Sequence, residues 1–152
     1  MPDPETLRNR IARIIASTRF PFVDQDTWEP GLQTIVNDET KRYAINTDIG
    51  LLYPNIVIAY PDGAIRELGL VESSVSEDNV PLWRALSDVA PYGREYKKLF
   101  IYVPEGSEEK AKQLLEKNEI DYDGIRAYRV ENQNLKIIPY VTRNDEYDHT
   151  IT

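Results

Sequence analysis

An α/β domain with a central mixed β-sheet flanked by helices, in two or three layers, is what this sequence predicts, and three observations carry it. A short β-branched run over residues 55–60, NIVIAY, meets a Pro61-Asp62-Gly63 turn and returns through residues 64–71. An uninterrupted apolar run at residues 99–103 reads as a buried strand, and a turn and a helix follow it. A helix with one apolar stripe opens the chain.

The elements follow in order. Asp3-Pro4-Glu5 is a helix start: Asp can cap, Pro suits the first helical position, and Glu favours the positive end of the helix dipole. Leu7, Ile11, Ile14 and Ile15 then recur at helical spacing, which predicts a helix over residues 4–18. Residues 21–31, PFVDQDTWEPG, read as a connection, and residues 32–36 as a short strand or a turn of helix. Residues 41–45 are expected as a strand, then 55–60 and 64–71 as an antiparallel hairpin that ends near Glu72. Pro81 opens a helix with Leu82, Leu86 and Val89 on one face and Trp83 beside it, stopped by Pro91-Tyr92-Gly93. After the buried strand, Ser107 is expected to cap a helix that turns Ala111, Leu114 and Leu115 inward. Residues 126–130 and 135–141 form a second hairpin, in which Pro139 favours an edge or a bulge.

Length and composition bound the function. The 152 residues suit one domain over residues 1–142, with residues 143–152, which lack an apolar period, as a flexible tail. An apolar content of 41% is enough to fold around one core. With no cysteine there are no disulfides and no thiolate chemistry, which fits a cytoplasmic protein. The single histidine, His149, lies three residues from the C-terminus, a poor place for a Ser-His-Asp device. The N-terminus does not read as a signal peptide, and no stretch approaches the roughly 20 apolar residues of a membrane span, so a soluble protein with no membrane partner is expected.

A net charge of −8 argues against phosphate binding over the whole surface, but charge is segregated along the chain. Residues 1–20 carry +2 and residues 21–40 carry −5. Between Trp83 and Lys98, the bases Arg84, Arg94, Lys97 and Lys98 alternate with Trp83, Tyr92 and Tyr96, a mixture that could hold phosphates and stack bases. The competing reading is a helix with a packed Trp followed by a polar connector.

The order helix, strand, hairpin, helix, buried strand, helix, with Pro54-Asn55 entering the hairpin and Val71-Glu72-Ser73-Ser74 leaving it, resembles the PD-(D/E)xK nuclease superfamily over residues 4–115. The resemblance implies a restriction-endonuclease-like core, in which an Asp after Pro and an acid on the next strand hold Mg²⁺ or Mn²⁺, with a Lys two residues further on. Here Glu72 matches the acid, Asn55 stands in place of Asp, and Ser74 in place of Lys. Asn55 and Glu72 are the candidate metal ligands and Glu72 the candidate catalytic residue. Asn55 brings an oxygen but no charge, and Ser74 cannot replace a cation beside a developing phosphorane. No cofactor is therefore expected, except Mg²⁺ or Mn²⁺ should the site be active.

The remaining acids fit local roles. Asp62 belongs to the turn, Glu5 to the helix start, and Asp24-Gln25-Asp26 to an acidic loop. Glu72 itself reads equally as a solvated carboxylate at a strand end. Three functions remain open at this level: a noncatalytic binding or assembly module whose partner is a protein or a nucleic acid, a metal-dependent nuclease with relocated ligands such as Asp48, and an unrelated α/β homodimer joined through Tyr128 and Tyr140.

Overall fold

A computed structural model describes residues 4–19, 31–89 and 97–142. The chain begins with helix α1 (Pro4–Arg19), followed by strands β1 (Gln33–Val36), β2 (Ile45–Thr47), β3 (Gly50–Leu52), β4 (Ile56–Ala59) and β5 (Ile65–Val71). A 3₁₀ turn (Glu77–Asn79) runs into helix α2 (Val80–Asp88). Strand β6 (Lys98–Pro104), helix α3 (Glu108–Lys117) and strands β7 (Gly124–Glu131) and β8 (Asn134–Thr142) follow. Among the described residues six strands form one mixed sheet in the order β1-β4-β5-β6-β7-β8, and β2 and β3 pair as a separate hairpin. Pairing is antiparallel from β1 to β4 and from β4 to β5, parallel from β5 through β6 to β7, and antiparallel again where β8 returns at the edge.

Period-two alternation divides the central strands between two apolar layers. From β4 and β6, Val57, Leu99, Ile101 and Val103 meet Val80, Trp83 and Leu86 of α2 and Ala111, Leu114 and Leu115 of α3. On the opposite face Ile56, Ile58, Phe100 and Tyr102 pack with Ile11, Ala12 and Ile15 of α1. The sheet is thus covered on both faces, which makes three layers and explains why β4 and β6 read as continuous apolar runs.

The Pro61-Asp62-Gly63 turn forms as expected. Gly63 takes φ +90°, its N–H donates to the Tyr60 carbonyl at 2.8 Å, and the Asp62 side chain accepts from the Ala64 N–H at 2.9 Å. In the second hairpin the β-bulge falls at Pro139: Ile125 faces Val141 while Arg126 faces Pro139, so Tyr140 is the extra residue on the edge strand.

Three expectations are corrected and one open alternative is resolved. Residues 41–44 are not a strand, because the Asn37 side chain takes the backbone groups a ladder would use. Its Oδ1 accepts from the N–H of Arg42 and Tyr43 at 2.8 and 2.9 Å, and its Nδ2 donates to the Tyr43 and Pro54 carbonyls at 2.9 and 2.7 Å. Residues 32–36 resolve as strand rather than helix, through the pairing of β1 with β4. On α2 the buried residues are Val80, Trp83, Ala85 and Leu86, with Leu82 and Val89 half-buried, so Trp83 is central rather than lateral. Ser107 occupies the N-cap of α3 but makes no capping bond; the Glu108 carboxylate accepts from the Gly106 N–H instead. The expected stop at residues 91–93 and the tail at residues 143–152 lie outside the described residues.

Candidate functional site

Antiparallel pairing of β4 with β5, with Ile56 opposite Gly69, brings the start of one strand beside the end of the other. Asn55 and Glu72 therefore line one cleft of about 290 Å³, together with Glu5, Arg8 and Asn9 of α1, Lys41, Tyr53 and Leu82. The approach of the two residues follows from topology alone: a strand pair closed by a tight turn must place its two open ends together.

Within the cleft, Glu72 is bound on every side. It is only 8% exposed, its backbone N–H continues the parallel ladder to the Tyr102 carbonyl at 2.8 Å, and its own carbonyl accepts from the Tyr128 hydroxyl at 2.6 Å. Its Oε2 accepts from the Trp83 indole at 2.8 Å and its Oε1 from Asn79 Nδ2 at 3.1 Å. Asn79 is positioned by a capping box, in which the Ser76 hydroxyl accepts from the Asp78 N–H at 3.2 Å while Asn79 Oδ1 accepts from the Ser76 N–H at 2.7 Å. Burial pushes the Glu72 carboxyl above its ordinary value, against the opposing pull of Trp83, Arg8 and Asn79. Burial, helped by the Glu72 charge, likewise raises the Tyr128 phenol to about 12.

Asn55 is used structurally as well. Its Oδ1 accepts from the Val71 N–H at 2.8 Å, and its carbonyl accepts from the Asn37 N–H at 3.0 Å. Arg8 reaches across from α1 to donate to the Ser73 hydroxyl at 3.1 Å, and Ser74 is exposed.

This donor set does not fit a hard divalent cation as it stands. Such an ion takes about six oxygen ligands and usually one or two carboxylates. Here the one matched carboxylate is turned onto Trp83 and Asn79, and the Asn55 oxygen onto a backbone N–H. Among the described residues no three His, Cys, Asp or Glu side chains are grouped to hold a metal. Glu5 shares the cleft wall besides serving in the first turn of α1, Asp48 is exposed, and Asp24 and Asp26 lie outside the described residues.

Among the described residues the basic candidates do not form one surface. Lys98 is 1% exposed, because β6 begins there and pairs it in register with Glu67, and its ammonium lies 5.9 Å from the Phe100 ring. It is an interior residue, not a phosphate contact. Lys97 is half-buried and donates to the Ser87 carbonyl at 2.8 Å, its pKa lowered by burial against Asp123, Asp88 and Asp121. Arg84 is exposed and donates to the Asn118 carbonyl at 2.8 Å, while Arg94, Tyr92 and Tyr96 lie outside the described residues. Of the tyrosines expected at a dimer contact, Tyr128 is buried on Glu72; Tyr140 is exposed and donates to the Glu109 carboxylate.

Asn79 and Trp83, which hold the Glu72 carboxylate, and Arg8, on the cleft wall, were not signalled by motif spacing. The one available sign was chemical: a Trp on an apolar helix face needs an acceptor for its N–H, and a strand-end carboxylate is a suitable one. Among the described residues no helix is long and apolar enough to cross a membrane. No protein-family model, curated protein or solved structure matches the chain.

Proposed function

We propose that this chain is a noncatalytic binding or assembly module built on a PD-(D/E)xK-like frame. The frame is supported by the element order, with α1, the antiparallel β1-β4-β5 set, α2 and the parallel strand β6 in the sequence that the resemblance implies. One observation carries the noncatalytic part: both carboxylate oxygens of Glu72 accept bonds from the protein's own Asn79 and Trp83. A carboxylate employed to hold α2 against the sheet is a structural clasp. Asn55 and Ser74 supply neither the second charge nor the cation that phosphodiester hydrolysis would draw on. What the cleft retains is a recess with polar walls that can receive part of a partner.

The test is cleavage by the purified full chain. Plasmid DNA, single-stranded DNA and RNA incubated with Mg²⁺ or Mn²⁺ should remain intact. Metal-dependent cleavage that disappears in Glu72→Ala would overturn the reading and establish instead a nuclease with relocated ligands.

A further inference from the structure

The charges that line the cleft balance. Glu5 and Glu72 stand against Arg8 and Lys41, so the wall as a whole favours neither an anion nor a cation. The balance is not made by direct pairing inside the cleft. Both carboxylate oxygens of Glu72 are taken by Trp83 and Asn79. Arg8 acts on Glu72 through space and spends Nη1 on the Ser73 hydroxyl at 3.1 Å, which leaves further guanidinium N–H groups for a ligand. Lys41 donates to the Asp38 carbonyl at 2.9 Å. Among the described residues the ion pairs of α1 belong to Arg13, not to Glu5 or Arg8.

Helical spacing puts the two unsatisfied charges side by side. Glu5 and Arg8 lie three residues apart on α1 and Asn9 lies four from Glu5, so one helix face presents an acid, a cation and an amide to the cleft. Asn9 is 4% exposed and its Nδ2 donates to Glu39 at 3.2 Å, which leaves Oδ1 as the acceptor this buried side chain has to offer. Much of the remaining lining is apolar, with Leu52 and Leu82 half-buried and Tyr53 exposed beside them.

We infer that the cleft binds a small zwitterion with an aliphatic side chain, an α-amino acid, whose carboxylate meets Arg8, whose ammonium meets Glu5 and Asn9 Oδ1, and whose side chain rests on Leu52 and Leu82. This rests on the reading of the cleft as a binding recess and names what it receives. A dipolar ligand uses both signs of the wall, and each end gains a charge-assisted bond. A simple anion or cation uses one sign and meets the other as repulsion. The volume of about 290 Å³ lies at the lower end of the roughly 300–1,000 Å³ of small-molecule sites, which suits a metabolite of this size.

The test is isothermal titration calorimetry of the full chain with L-leucine and two analogues: 3-methylbutylamine, which lacks the carboxylate, and 4-methylpentanoate, which lacks the ammonium. Leucine should bind, and each analogue roughly tenfold more weakly or worse, because each forfeits one charge-assisted contact. Arg8→Gln should bring leucine down to the affinity of the amine, and Glu5→Gln to that of the acid, with thermal midpoints confirming that both variants fold. The analogue comparison needs no variant, so it decides even where a substitution unfolds the chain. No heat from leucine at about 10 mM, an analogue that binds as tightly as leucine, or leucine binding that ignores both substitutions overturns the inference. Any of these results with nucleic acid left intact leaves the binding-module reading standing. Metal-dependent cleavage removes that reading itself.

Discussion

The indole N–H of Trp83 donates to Glu72 Oε2 at 2.8 Å, across eleven residues of sequence, and this bond joins the end of β5 to the centre of α2. Trp83 is fully buried behind Glu72, so its indole N–H loses its protein acceptor when that carboxylate is removed. Glu72→Ala should therefore lose about 3 kcal/mol in urea denaturation, since it strands a buried N–H and the Asn79 amide together. Glu72→Gln keeps one acceptor oxygen and should lose about half as much. Trp83→Phe combined with Glu72→Ala should cost less than the two single changes added, because both remove the same bond. Strict additivity would mean that the clasp contributes nothing.

The pH dependence of stability should carry two opposite slopes. Because burial raises the Glu72 pKa, the folded chain keeps a proton that the unfolded chain releases at the ordinary glutamate value. Stability from this group is full below that ordinary value and falls as pH rises through the folded pKa. Asp38 behaves inversely: the Thr40 N–H, with Arg42 and Arg13, holds it at about 2, so its contribution is present above the ordinary aspartate value and is lost as pH falls towards 2. Urea midpoints from pH 2 to 8 should show Glu72→Gln losing the upper slope and Asp38→Asn losing the lower one. An upper slope unchanged in Glu72→Gln would assign that slope to another group.

Asn55 allows a structural role to be separated from a metal-binding one. Asn55→Ala removes the acceptor of the Val71 N–H and should cost about 1–2 kcal/mol. Asn55→Asp retains an acceptor oxygen but adds a second carboxylate to the cleft that Glu72 lines. That variant should gain thermal stability on addition of Mn²⁺ where the original chain gains little, because a cation relieves the paired charge. Equal Mn²⁺ responses in the two proteins would count against a nuclease-like placement of these residues.

Much of the frame was legible because it rests on short-range patterns. The run Ile56-Val57-Ile58 and the Pro61-Asp62-Gly63 turn specify the β4–β5 hairpin locally, and the run at residues 99–103 can be nothing but a buried segment. The cleft's two sequence candidates were legible for the same reason, since a hairpin closes its own ends together. What was hidden depends on contacts between distant residues. Asn37 consumes the backbone groups of residues 42 and 43, which removes a strand that propensity favours. Lys98 looks like half of an exposed basic pair until the register with Glu67 places it inside the sheet. Trp83 and Tyr128 acquire their roles only when α2 and β7 are assembled around Glu72.

The interior on the α1 side of the sheet gives the last expectation. Phe100 and Arg126 are each 1% exposed, and the guanidinium carbon of Arg126 lies 4.5 Å from the centre of the Phe100 ring. Gly124 sits directly opposite Phe100 on the parallel strand. A Cβ at position 124 would fall 2.5 Å from the Phe100 ring and as close again to Arg126 Nη1. The arginine end can swing, but the ring is confined in the sheet's packed layer, so Gly124→Ala must displace the strand or tilt the aromatic. A cost of about 2–3 kcal/mol follows from overpacking of this kind. Gly69→Ala is the control on the neighbouring strand pair: its Cβ would stand 3.2 Å from Ile56 Cβ, a tight but adjustable contact, and should cost about 1 kcal/mol. Urea unfolding of the two variants should therefore rank Gly124→Ala clearly below Gly69→Ala. Equal losses would mean that the Phe100 ring yields as readily as an aliphatic neighbour, and that the ring and guanidinium are not held in place by the layer around them.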